Sequence, residues 1–309
     1  MKNPPFFVLF ISLWLVVLLS TPALPYSPSK SESARLKGTA QGWFCSGFSF
    51  FQQGDYERAR KEFRRLVKRY PHSSYAYKAE YYLGKLLEVA KKPYQAFQRY
   101  KRCVDNYQSG QEWEKALEGE YRVGEFFLAQ KPARFLGLDL SVPLERAIEI
   151  FQEIRRQAPS TKWGVLAKYR LGFCYQGLNR WEEAIKEFEE FIKYYPTHPY
   201  VLSGDAHYQI AFSYFRSALS RGYDKQRLRD ALEYLENFLH LYPQNKYAER
   251  AKKEIRQIKE RLAEELFNIA EFYLSQGHRR SADLYYQEII ETYPKTSQAE
   301  KARLLLKKR

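Results

Sequence analysis

The chain has 309 residues, a formal net charge of +15 from 51 basic and 36 acidic side chains, and a composition that is 45% hydrophobic and 17% aromatic. That apolar share supports packed cores and excludes a disordered chain, while the basic excess favours anionic surroundings or a solvated, Lys- and Arg-rich surface. Five scattered histidines, three cysteines without a CxxC spacing, and the lack of a phosphate loop, nucleophile elbow or HExxH point away from catalysis, a cofactor or a metal site.

Residues 1–23 begin Met1-Lys2, run apolar from Phe6 to Leu19 and end Ser20-Thr21-Pro22-Ala23, which matches a secretory signal peptide cleaved after Ala23. A retained signal anchor is the competing reading, because the apolar run is nearly long enough to span a bilayer. Export would place Cys45, Cys103 and Cys174 in an oxidising compartment, yet their number and separation read as buried thiols acting as small hydrophobes. None of them stands in a lipobox, so no lipid anchor is expected. Residues 24–39, rich in Ser, Pro and Lys, form a flexible lead-in.

From residue 40 a single design repeats. An Ala followed twelve positions later by Pro occurs at Ala59/Pro71, Ala147/Pro159, Ala184/Pro196, Ala231/Pro243 and Ala282/Pro294, with Ala96 as a sixth copy lacking its proline. Twelve positions before the Ala stands another small residue at Gly47, Gly84, Gly172 and Ala270, and farther back at Gly124 and Ala211. Small residues mark where two helices cross closely. Phe63, Tyr100, Phe151, Phe188 and Tyr286, each four residues after an Ala, fill the seam. Proline then ends the second helix.

This spacing, with Gly54-Asp55-Tyr56 in the first turn, resembles the tetratricopeptide repeat. The expected fold is all-α, a right-handed superhelical solenoid of about six tetratricopeptide-like helix hairpins, because one hairpin cannot bury its apolar faces alone.

The hairpins are expected at about 40–73, 77–110, 117–161, 165–198, 204–245 and 263–296, the first three forming an N-terminal segment (40–164) and the last three a C-terminal one (165–309). Gly110 serves as the stop of the second. In the third, an apolar loop with Arg134-Phe135-Leu136-Gly137-Leu138-Asp139-Leu140 separates the helices, either tucked against the array or presented to a partner. Arg221-Gly222-Tyr223-Asp224 separates the helices of the fifth. Lys246 to Gln276 lacks Pro and Gly and reads as one long helix before the last hairpin, and Gln298 to Arg309 as a short closing helix.

Stacked first helices would line a groove suited to extended peptide segments. Three residues before each crossing stand Phe44, Tyr81, Tyr121, Tyr169, Tyr208 and Phe267, and one residue after it stand Phe48, Phe173 and Phe212. Packing of the repeat alone accounts for part of the first set. Helix packing does not demand an aromatic at the second, which makes Phe48, Phe173 and Phe212 the better groove candidates.

The C-terminal half carries a narrower likeness. Tyr195-Pro196-Thr197-His198-Pro199, the insertion with Gly222 and Asp224, Tyr242-Pro243-Gln244-Asn245-Lys246-Tyr247, the long helix with Arg261-Leu262-Ala263-Glu264, Ala270-Glu271-Phe272-Tyr273 and Tyr293-Pro294-Lys295-Thr296 together resemble the BamD (YfiO) family over about residues 165–305. That resemblance implies a periplasmic, outer-membrane-associated scaffold without enzymatic activity. Its implied partners are a BamA-like β-barrel assembly protein and unfolded outer-membrane proteins. It also implies a partner contact on the second helix of the penultimate family repeat, where the family's Arg is replaced by Tyr285.

Two alternatives stand beside it: a cell-envelope coordinator of the Tol–Pal/CpoB type, and a generic protein-interaction repeat. The basic end, Lys301 to Arg309, could meet an anionic membrane surface, and no nucleic-acid motif accompanies it.

Overall fold

The computed structural model describes residues 36–107, 110–130, 133–135, 138–140, 142–220 and 224–308, with backbone alone at 133–135 and 138–140. The expected signal segment, most of the lead-in, and Arg221-Gly222-Tyr223 lie outside the described residues, as does the question of where Phe135 and Leu138 rest. The described residues fall into two compact units that divide between Gly119 and Glu120.

The first unit holds α1 (Ala40–Gln52), α2 (Tyr56–Arg69), α3 (Ser74–Val89), α4 (Pro93–Asn106) and the start of α5 (Gln111–Ala129). The second holds the rest of α5, strands β1 (Ala133–Phe135) and β2 (Leu138–Leu140), and α6 (Val142–Gln157), α7 (Lys162–Gly177), α8 (Trp181–Tyr194), α9 (Pro199–Leu202), α10 (Asp205–Ser220), α11 (Lys225–Leu241), α12 (Ala248–Ser275), α13 (Arg279–Thr292) and α14 (Ser297–Lys307). Within each unit the helices pair as antiparallel hairpins that stack on their neighbours, the tetratricopeptide arrangement.

The glycines explain the crossings more closely than small size alone. A Cβ on Gly47 would lie 2.7 Å from the Phe63 ring, on Gly84 2.5 Å from Tyr100, on Gly124 2.6 Å from Phe151 and on Gly172 2.4 Å from Phe188. Each of those rings is fully buried. The first helix thus leaves a notch, and the aromatic four residues after the Ala of the second helix occupies it. Tyr100 is clasped on both edges, since a Cβ on Gly119 of α5 would come within 2.7 Å of its other side.

Helix ends follow the prolines. Helices α2, α6, α8, α11 and α13 each stop two residues before Pro71, Pro159, Pro196, Pro243 and Pro294. Two residues after each proline stands a side chain that caps the next segment. Ser73, Thr161 and Thr296 accept hydrogen bonds from the N–H groups of Ala76, Gly164 and Ala299, His198 from Tyr200, and Asn245 from Tyr247. Ser73, Thr161 and Thr296, as N-caps, each stabilise a helix start by about 1 kcal/mol, so at those turns one proline and one polar residue set both sides.

Three expectations are corrected. The apolar loop of the third hairpin contains an antiparallel strand pair, with Ala133 opposite Leu140, Arg134 opposite Asp139 and Phe135 opposite Leu138. The reason is the two-residue alternation of Ala-Arg-Phe and Leu-Asp-Leu about Leu136-Gly137, a hairpin pattern. Helix α4 already ends at Asn106, and Gly110, at φ +103°, leads into α5 instead of stopping α4. Helix α5 accordingly begins at Gln111, six residues ahead of the expected start.

Long helix α12 runs unbroken for 28 residues. Its first half buries Ala251, Ile258 and Leu262 against α10 and α11. Its second half buries Ala263 and Ala270 against Ala282, Tyr286 and Ile289 of α13 and Ala299 and Ala302 of α14.

Candidate peptide-binding face

In the second unit, α7 and α10 present the same pair of positions. Tyr169 and Tyr208 turn inward and are buried, at 3% and 1% exposure. Tyr169 stacks on Tyr200 at 4.6 Å and meets Phe188 and Phe191. Tyr208 stacks on Tyr247 at 4.3 Å, and its hydroxyl donates to the Glu254 carboxylate at 3.1 Å. One helical turn later, Phe173 and Phe212 remain half-buried, so part of each ring faces solvent.

An arginine lies over each of these two rings. The Arg170 guanidinium is 5.8 Å from the Phe173 centroid, and that of Arg250, from α12, is 4.6 Å from Phe212. Neither arginine is loose. Arg170 Nε donates to Glu125 Oε1 at 2.6 Å and to the Tyr121 hydroxyl at 3.1 Å, and Arg250 Nε donates to Glu254 Oε1 at 3.0 Å. Burial lowers the tendency of Arg170 to stay charged, but Glu125 and Tyr121 outweigh it. Burial raises the Glu254 carboxyl above the usual carboxylate range, with Arg250 pulling the other way.

A polar layer fixes α7 to α10: Gln176 Nε2 donates to Ser213 Oγ at 2.9 Å and to Gln209 Oε1 at 3.2 Å. Apolar ring faces beside held guanidinium groups can take up an extended segment through ring contact and an acidic or carbonyl group through the cation.

The remaining candidates divide. Tyr121 is buried against Phe151 and Trp163, and with Tyr169 and Tyr208 it belongs to the interior of the hairpins. Phe44 and Phe48 stack on each other and meet Tyr82 at a tilt and edge-on in the first unit, with Tyr81 edge-on to Tyr82. Phe267 packs on Tyr286, and Lys301 of α14 covers its ring at 5.9 Å. Tyr285 stacks nearly parallel on Tyr273 at 5.5 Å, and exposed Phe272 and Leu284 lie on the same last hairpin. Arg170, Arg250, Glu125 and Glu254 were not foreseen. For Arg170 the available signal was its place one turn before Phe173 on the same helix, whereas Arg250 reaches Phe212 from another helix and no local pattern marks it.

Among the described residues no group of three or more His, Cys, Asp and Glu could hold a metal ion, and no helix is long and apolar enough to cross a membrane.

Antiparallel helix hairpins stacked on their neighbours define a tetratricopeptide-type repeat protein. A tetratricopeptide repeat pattern matches residues 46–73. Residues 141–308 match the family described as YfiO, outer membrane lipoprotein, and the chain belongs to that family. It is 28% identical over 156 residues to the outer membrane protein assembly factor BamD of Caulobacter vibrioides, covering 50% of each chain. To BamD of Buchnera aphidicola it is 26% identical over 152 residues, covering 44% of this chain and 58% of that one. The chain thus spans about half the length of the curated relatives it matches. Among solved structures, the C-terminal part of a repeat-containing protein from Cytophaga hutchinsonii aligns over 87% of this chain and 89% of its own, at 16% identity and a TM-score of 0.41.

Proposed function

We propose that this chain is a non-enzymatic scaffold for assembly of outer-membrane β-barrel proteins, working on the periplasmic side of the outer membrane. It holds extended segments of unfolded outer-membrane proteins on the face built by Phe173 and Phe212. The carrying observation is the pairing of each half-buried ring with a fixed guanidinium, both inside the span that matches the family. The tyrosines beneath are structural. The last hairpin, with Tyr285 braced on Tyr273 and Phe272 and Leu284 exposed, is the surface proposed for a BamA-like partner.

Fluorescence anisotropy with a labelled extended peptide ending in an aromatic residue tests the first part. Phe173→Ala and Phe212→Ala should each weaken binding by about 2 kcal/mol, roughly thirtyfold, the size of an aromatic anchor. Unchanged affinity in both variants, with helicity retained, would remove this face as the site. A pull-down from solubilised envelopes tests the second part: recovery of a POTRA-bearing barrel protein, lost in Leu284→Glu, supports it, and recovery of cell-wall enzymes alone refutes it.

A further inference from the structure

Helix α2 is unlike every other second helix of the array. Over Tyr56–Arg69 it carries seven basic side chains against two acidic ones. In the same position α6 has three of each and α11 three of each, α13 two basic against three acidic, and α8 two lysines against five glutamates. Solvation of an outer face does not by itself account for α2, because four of its five counterparts are solvated with balanced or negative charge and the fifth, α4, carries three basic side chains against one acidic.

The geometry concentrates this charge. Ala59, Phe63 and Leu66 face the core and are fully buried, so at 100° per residue Lys61, Arg64 and Lys68 stand on the opposite side of the helix. All three are exposed. Three of the neighbouring arginines are paired, Arg58 with Asp55 at 3.3 Å, Arg60 with Glu57 at 2.5 Å and Arg65 with Glu62 at 3.1 Å, while exposed Arg69 at the end of the helix forms no ion pair among the described residues. Lys61, Arg64 and Lys68 form no ion pair among the described residues. By contrast, the cations of α4 are engaged, Arg99 and Arg102 with Glu80 and Lys101 with Asp105.

We infer that this face of α2 docks on the anionic headgroups of a phospholipid membrane. It is a row about 21 Å long, from 14 residues at 1.5 Å each. The stems of Glu57, Arg58, Arg60, Lys61, Arg64, Arg65 and Lys68 enclose only an open depression of about 480 Å³. Docking of a peptide strand or helix requires a groove or a sheet edge, and selective reading of nucleic acid requires stacking or base-edge groups beside the cations. Lys61, Arg64 and Lys68 offer neither. A fluid sheet of anions asks only for several cations on one side, held clear of acidic neighbours. No apolar side chain shares the row, so the contact is adsorption and does not involve insertion. The face also lies in a hairpin outside the span matched to the family, so the inference stands apart from the proposed function.

The test is co-sedimentation of the full chain with vesicles of phosphatidylcholine alone or with 30% phosphatidylglycerol, at low and moderate salt. Any contribution of the apolar run Phe6–Leu19 is common to both vesicle types, so the difference between them is the readout. Each cation near an anionic surface is worth roughly fivefold in partitioning. A Lys61→Gln/Arg64→Gln/Lys68→Gln variant should therefore lose about a hundredfold of the phosphatidylglycerol-dependent binding. A Lys301→Gln/Lys307→Gln/Lys308→Gln variant, with the same net charge, should lose little. Circular dichroism of both confirms that the fold is kept. Equal losses in the two variants would mean that only net charge matters and would overturn the assignment. Binding unaffected by the α2 substitutions, or a face that captures soluble polyglutamate while ignoring vesicles, would overturn it as well.

Discussion

Replacing Gly172 by Ala sets two effects of opposite sign against each other. Helix propensity alone favours the change, because Gly in a helix interior is about 1 kcal/mol worse than Ala. The added methyl, however, would lie 2.4, 2.6 and 2.7 Å from three atoms of the Phe188 ring, about an ångström inside ordinary carbon contact. The ring has no room to retreat, being fully buried and edge-on to Tyr169 at 5.5 Å and Phe173 at 5.3 Å. Overpacking of this kind costs about 3 kcal/mol, which leaves a net destabilisation of about 2 kcal/mol after the propensity gain. Urea unfolding followed by circular dichroism measures it. The double variant Gly172→Ala/Phe188→Leu should recover at least about 1 kcal/mol relative to the sum of the singles, because the smaller side chain vacates the notch. A neutral or stabilising Gly172→Ala, or strictly additive singles, would refute the notch as the reason for the glycine.

Burial raises the Glu254 carboxyl in the folded protein despite Arg250, so its stabilising contribution is full below the unfolded carboxylate value and fades as pH rises through the folded one. Glu254→Gln should thus be more favourable relative to the parent at pH 7 than at pH 4, and urea titrations giving the opposite order would refute this. Asp205 accepts from Asn245 and Lys246 across the turn that leads into α12; Asp205→Ala should cost about 2 kcal/mol as charge-assisted bonds are lost, with melting curves as the check. Cys103 and Cys174 are buried, and burial raises the Cys174 thiol. A thiol-reactive dye should therefore modify Cys45 first in the native protein and reach the other two only on unfolding, and early labelling of Cys174 read by mass spectrometry would contradict the packing.

The repeat was legible because its determinants are periodic and local: a glycine, an alanine, a ring and a proline at fixed intervals. Helix α12 was legible for the same reason, since an absence of Gly and Pro over thirty residues leaves little alternative to a helix. What escaped was either short or distant in sequence. The strand pair at 133–140 spans three residues on each side, too few for alternation to stand out within an apolar stretch. The capping residues two positions after each proline could have been read, but Ser, Thr, His and Asn at one position look unrelated until their shared acceptor role is seen. Glu125 meets Arg170 from 45 residues away, and no local pattern announces such a pair. The inward turn of Tyr121, Tyr169 and Tyr208 likewise depends on Trp163, Tyr200 and Tyr247, which other segments supply.

The 28 residues of α12 make a rod about 42 Å long, and the border between the last two cores falls at Leu262 and Ala263, in its middle. Other neighbouring hairpins in the second unit are joined by a proline turn, which can swivel or open without disturbing the hydrogen bonds on either side. At this border there is no swivel. A tug or twist applied to the last hairpin is carried along a continuous ladder of backbone bonds into the core below it, so a partner that grips the end of the chain holds two hairpins by one lever.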